Sequence, residues 1–191
     1  GCMDMIRLPP LKNDQLSATQ MKVAKAIQDG PRGNIPMTGP FGVWLRANTI
    51  GDAIQNLGAS LRYETILEEN IKELAICIVG HHYKAKFEFA YHETLAIQSG
   101  IPEEVLNDLK NDKIPSFTEE RLELVFLISK QLLATHSVAD DLYQRGFDEF
   151  NEQGMIELVS LIGYYCLVAL TLNTFEIPLD EGMQDPFPDV T

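Results

Sequence analysis

Apolar residues recur in this chain at three- and four-residue spacings almost from end to end. No stretch alternates with period two over five or more residues between hairpin turns. Side chains share a face every 3.6 residues along a helix and every second residue along a strand. The pattern therefore predicts an all-α fold of about eight helices. A length of 191 residues suits one domain, and 45% hydrophobic residues is ample for its core.

Local signals set the expected boundaries. Residues 1–16 read as an irregular arm, with Pro9-Pro10 blocking a helix. Ser17 and Gln20 have capping-box spacing, so a helix follows to about Gln28. Residues 30–42 carry four glycines and three prolines and must form a loop. Ile50, Ala53, Ile54, Leu57 and Leu61 mark the next helix and its expected inner face. Ile71, Leu74, Ala75, Ile78 and Val79 mark another, which Gly80 is expected to loosen or end. Phe87, Ala90, Tyr91, Thr94 and Leu95 are the expected inner face of a helix closing at Gly100. Pro102 opens a short helix to about Asn111. Ser116 or Thr118 caps a helix ending near His136, and Val138 to about Asn151 gives another. Gly154 breaks the chain before an apolar helix from Met155 to about Asn173. The domain is thus expected over 17–177, with 178–191, which hold three prolines and four acids, as a C-terminal tail.

A net charge of −13 argues against a nucleic-acid partner and against anionic membranes. It leaves open a small anionic substrate, because one local cation can dominate a pocket. The largely apolar run Val159–Leu172 is 14 residues long, short of a bilayer span, and reads as a buried core helix. Cys2, Cys77 and Cys166 form no metal-like cluster. Sparse thiols and a first ten residues unlike a secretory signal lead us to expect a cytoplasmic protein.

Titratable groups concentrate in Glu73–His92, which holds His81, His82 and His92 with Glu73 and Glu88. Glu88 and His92 are four apart, so they share a helix face, and a carboxylate beside an imidazole fixes its tautomer and raises its basicity. If the chain turns at Gly80–Lys84, Glu73 comes back towards His92. Such Glu–His pairs also occur on solvated helix faces, where they do nothing chemical. His81 and His82 are adjacent and cannot share a face. A metal held by His82, Glu88 and His92 has no recognised ligand spacing, so no metal or other cofactor is expected.

The segments GPFGVWLR, ELAICIVG and AKFEFAYHETLAIQSGI resemble the carboxymuconolactone decarboxylase family, which includes the alkylhydroperoxidase D-type proteins. The stretch from VADDLYQRGF to LIGYYCLVALTLN resembles its longer members. The peroxidase branch has Glu, eleven residues, Cys, two residues, Cys, three residues, His. Counting from Glu73 puts Ala85 and Glu88 at the two thiols and His92 at the histidine. One thiolate must attack the peroxide and a second resolve the sulfenic acid, so that chemistry is not expected here. The chain also lacks the glycine near Lys84 and the tryptophan at Phe89 that commoner members of the decarboxylase branch carry.

The resemblance implies an alkylhydroperoxidase D-like helical bundle, a homo-oligomer, and cofactor-free acid/base chemistry. The implied reaction is decarboxylation, or related lyase or isomerase chemistry, on a carboxylated lactone or ring. In that reading His92 is the general acid/base, Glu88 its orienter and Glu73 a second proton acceptor. Arg46, His82, Lys86 and Trp44 are expected to hold the substrate. The alternative is a non-enzymatic or regulatory oligomer with the same fold.

Overall fold

Ser17 opens the first helix by the reciprocal capping that its spacing predicts. Its hydroxyl accepts the Gln20 N–H at 3.1 Å, and the Gln20 side chain accepts the Ser17 N–H at 3.0 Å. The computed structural model of the protein describes residues 7–191; Cys2 and the start of the expected arm lie outside the described residues. Eight α-helices follow one another with no strand among the described residues: α1 Ala18–Gln28, α2 Phe41–Trp44, α3 Asn48–Tyr63, α4 Glu69–His82, α5 Lys86–Gln98, α6 Glu103–Lys110, α7 Glu120–Thr135 and α8 Asp140–Thr174. The protein is an all-α bundle.

The axis of the bundle is α4. Every residue from Ile71 to His81 is buried, and α5, α7 and α8 pack around it. A helix apolar on all sides is stable only when wrapped in this way. Lys72 escapes by sending its ammonium to the Arg62 carbonyl at 2.6 Å and to Glu69 at 3.0 Å.

Glycine does more here than punctuate. Gly80 neither ends nor loosens α4, which runs on to His82. A Cβ at Gly80 would lie 3.2 Å from the Phe89 amide nitrogen and 3.3 Å from a Glu88 oxygen, so its role is close approach of α5. Likewise α3 turns Gly51, Gln55, Gly58, Ala59 and Leu61 inward. A Cβ at Gly51 would fall 1.8 Å from the Trp44 carbonyl oxygen, and one at Gly58 would fall 2.1 Å from the Tyr164 hydroxyl. The stripe expected to face the core is therefore mostly outside: Ile50 is 65% exposed and Leu57 50% exposed.

α5 also differs from its expected orientation. Its buried residues are Phe87, Glu88, Phe89, His92 and Ala96, while Tyr91 and Thr94 are exposed. The two expected helices at the C-terminal end are the two segments of α8, divided by a kink at the non-helical Asn151 (φ 59°), where the first was expected to end, rather than at Gly154. The Asn151 side chain accepts the Gly154 N–H at 3.0 Å and so caps the second segment from within. Glu119, not Ser116 or Thr118, precedes α7, and no side chain caps it.

Residues 178–191 are not a free tail. Phe187 is buried against Phe89 and His81, and Lys86 donates to Asp185 at 2.7 Å and to the Val190 carbonyl at 2.6 Å. One helix, α8, is long and apolar enough to cross a bilayer, but 56% of its apolar window is buried inside the bundle.

Candidate active site

The site is built on the α4–α5 hairpin. Lys84 takes a left-handed conformation (φ 51°), and the Ala85 amide donates to the Gly80 carbonyl at 2.8 Å, which reverses the chain in three residues. Glu73 then comes beside His92, and Gly80 beside Phe89, so the helices run antiparallel.

Glu73 and His92 meet at 2.7 Å, carboxylate oxygen to Nδ1, with only 2% and 6% of their surfaces exposed. The imidazole donates through Nδ1–H, which leaves Nε2 as the nitrogen open to a ligand. The orienter of His92 is thus Glu73, on the neighbouring helix. The expected bond from Glu88 to His92 is not made.

Glu88 has a different character. It is 2% exposed, and neither carboxyl oxygen has a hydrogen-bond partner. Burial pushes its pKa well above the usual carboxylate range. Burial thus favours the protonated form, which has no acceptor among the described residues. Buried polar groups are nearly always satisfied, and an orphan of this kind marks a strained or functional position.

Glu88 and His92 line one cavity of about 150 Å³ between the hairpin, α8 and the glycine-rich loop. Its walls are aromatic: Phe41, Trp44, Phe87, Tyr91, Tyr164 and Tyr165. Tyr165 stands edge-on to the His92 ring at 5.3 Å. Burial raises the pKa of both Tyr164 and Tyr165, which keeps their hydroxyls protonated. Trp44 lines the cavity, and its indole N–H has no acceptor among the described residues. At the rim, Thr38 of the glycine-rich loop donates to Asp180 at 3.2 Å, so the C-terminal segment and the loop meet over the cavity.

The expected cations are elsewhere. Arg46 donates to the carbonyls of Gly42 and Pro9, Lys86 is held by Asp185 and Val190, and His82 is exposed with its ring against Tyr83. None of the three lines the cavity. Its cations are Arg32, from the glycine-rich loop, and Arg62, from the last turn of α3. Sequence reasoning missed both. Arg32 lay in a segment without periodicity, and Arg62 adjoined a stripe assigned to the wrong face. Two tyrosines interrupting an apolar helix were the available sign that α8 borders a polar space.

Among the described residues, no thiol lines the cavity. Cys77 is fully buried in the core, and burial, reinforced by Glu73, Glu93 and Glu88, raises its pKa well above the ordinary thiol value. Cys166 on α8 is half-buried and packs against the edge of the core. Among the described residues, no three His, Cys, Asp or Glu side chains converge as a metal site would require. No family model matches the chain, and no curated protein matches it.

Proposed function

We propose that the protein is a small-molecule enzyme using cofactor-free acid/base chemistry of the carboxymuconolactone decarboxylase type. It would act on a carboxylated lactone or ring by decarboxylation or by related lyase or isomerase chemistry. The observation that carries this reading is the pairing of two unlike, buried groups in one aromatic-walled cavity. His92, oriented by Glu73, offers an imidazole nitrogen, and Glu88 offers a carboxyl group whose burial favours its protonated form. Groups whose environments separate their proton affinities are suited to opposite halves of a proton transfer.

The chemistry follows from the placement. When a bond to carbon breaks next to a carbonyl, its electron pair moves onto the carbonyl oxygen. Glu88 stabilises that oxygen by donating to it, in a site where low polarity strengthens the interaction. His92 removes or delivers the proton at carbon through Nε2, and Glu73 stabilises the imidazolium that forms. General acid/base assistance of this kind is worth about 10²–10⁴-fold in rate.

The reading includes self-association. Its support is the uncharged outer stripe of α8, where Ile156, Val159, Leu167 and Leu170 are exposed on a chain of net charge −13. A second copy laid along this stripe would bury apolar surface without pairing like charges. Sedimentation velocity of the wild type against Leu170→Glu tests it, and an unchanged monomer in both would remove it.

The enzymatic reading is tested with a panel of small lactone and ring carboxylates, carboxymuconolactone among them, followed by ultraviolet absorbance and CO₂ release. Turnover by the wild type and its loss in His92→Asn is expected. Equal rates in the two would overturn the assignment, and a well-folded oligomer inert towards the whole panel would favour the non-enzymatic alternative.

A further inference from the structure

Arg62 is the cation that the cavity leaves open. Its guanidinium lies 5.2 Å from the centre of the Tyr63 ring, and no other described residue gives it a hydrogen bond or an ion pair. Arg32, the other cationic wall, is engaged through both terminal nitrogens, which donate to the Gln55 side-chain and main-chain oxygens, each at 3.1 Å, and only its Nε lacks a partner among the described residues. Guanidinium is the side chain best matched to a carboxylate, which it grips through two parallel N–H donors.

We propose that Arg62 anchors the carboxylate of a one-ring monocarboxylate, and that the reaction there is a proton shift which leaves that carboxylate in place. This rests on the acid/base reading above and narrows it. Three observations set the ligand. A cavity of about 150 Å³ has the volume of one small ring. Its aromatic walls suit a flat, unsaturated ring. Its one guanidinium without a hydrogen bond to any described residue accommodates one anionic group, because a second would face the Glu73 carboxylate behind His92 or Asp180 at the rim.

The same ion pair decides the reaction. A carboxylate held by Arg62 is stabilised in the ground state, and losing it as CO₂ would forfeit that pairing in the transition state. Chemistry then falls to the far end of the ring. His92 Nε2 takes a proton from a carbon conjugated to a ring carbonyl. The C–H electron pair moves into the ring, and the carbonyl oxygen becomes an enolate that accepts a hydrogen bond from Glu88. The proton returns at another carbon of the conjugated system, so the double bond has moved. No redox change occurs, and His92 and Glu88 finish in their starting states.

The test uses the intact chain and two readouts. Calorimetric titration with benzoate, its neutral isostere benzamide and the dianion isophthalate reports the anchor. Proton–deuterium exchange of 3-oxocyclohex-1-ene-1-carboxylate, followed by NMR in D₂O, reports the shift. Benzoate is expected to bind at least tenfold more tightly than benzamide or isophthalate. Arg62→Gln should lose that preference, while Arg46→Gln and Lys86→Gln keep it. Exchange should proceed without CO₂ release and vanish in His92→Asn. Should Arg62→Gln fold poorly, the benzoate-to-benzamide preference of the wild type and its weakening in Arg62→Lys carry the same test. Equal binding of benzoate and benzamide, or tighter binding of the dianion, overturns the inference. So does CO₂ release from a lactone acid that is insensitive to Arg62, which would leave the acid/base reading standing. Arg62-dependent binding with no exchange would instead overturn the acid/base reading and uphold the anchor.

Discussion

Glu73 and His92 are 19 residues apart in the chain and 2.7 Å apart in space, joined across the α4–α5 hairpin inside the bundle. The bond fixes which imidazole nitrogen faces the cavity. Glu73→Gln keeps the shape and removes the charge that stabilises an imidazolium. The expected result is a fall in kcat of about 10²–10⁴-fold with little change in KM. A rise in KM at constant kcat would mean that Glu73 acts on binding instead.

Glu88 sets a second expectation, through pH. Its folded-state pKa is raised by burial, whereas the unfolded chain ionises it in the ordinary carboxylate range. Between those two values the folded state holds the extra proton. The contribution to stability is therefore fully present below the ordinary value and declines as pH rises towards the folded value. The slope is at most about 1.4 kcal/mol per pH unit. Glu88→Gln removes this dependence. Denaturation midpoints measured from acid to neutral pH should fall less steeply in the variant, and parallel profiles would show that Glu88 is ionised in the fold.

These two groups also show what the sequence made legible. Helical periodicity and the capping signals located most of the elements, because propensity and local hydrogen bonds act over a few residues. The Glu73–His92 frame was visible as a spacing. Which face of α5 turned inward was not, since a hydrophobic count treats Glu88 and His92 as outward residues. α3 misled for the complementary reason. Its inner face is made of Gly51, Gly58 and Gln55, chosen for closeness to Trp44 and Tyr164 and for holding Arg32, so the apolar stripe was left outside. In the sequence Lys84 is only a departure from glycine, and its left-handed φ of 51° gives that departure a physical meaning.

The closeness of α3 to α2 gives a test with an internal control. Gly51→Ala would place a methyl 1.8 Å from the Trp44 carbonyl oxygen, main-chain against main-chain, where no rotamer can yield. Such overpacking is expected to cost about 1–3 kcal/mol and to shift Trp44 at the cavity wall. Gly163 on the outer side of α8 has no atom within 4 Å of the added Cβ, so Gly163→Ala should be neutral or stabilise by up to about 1 kcal/mol. Urea midpoints and Trp44 fluorescence distinguish the pair, and equal midpoints would refute the close approach.

The C-terminal segment is held by one large anchor. Phe187 is 4% exposed, packed 5.1 Å from Phe89, with the Lys84 ammonium 4.9 Å from its ring centre. The flanking contacts through Lys86 are partly exposed and contribute little by comparison. Phe187→Ala is expected to cost about 3–5 kcal/mol if the segment is integral to the fold. If 178–191 instead dock as a unit of lower stability, the measured loss will be smaller and the segment will open locally. Limited proteolysis separates the two: cleavage confined to residues after Glu176 marks local release, whereas degradation of the whole chain marks global destabilisation. Because Asp180 meets Thr38 at the cavity rim, local release should also loosen the cover and raise the dissociation rate of any bound ring carboxylate.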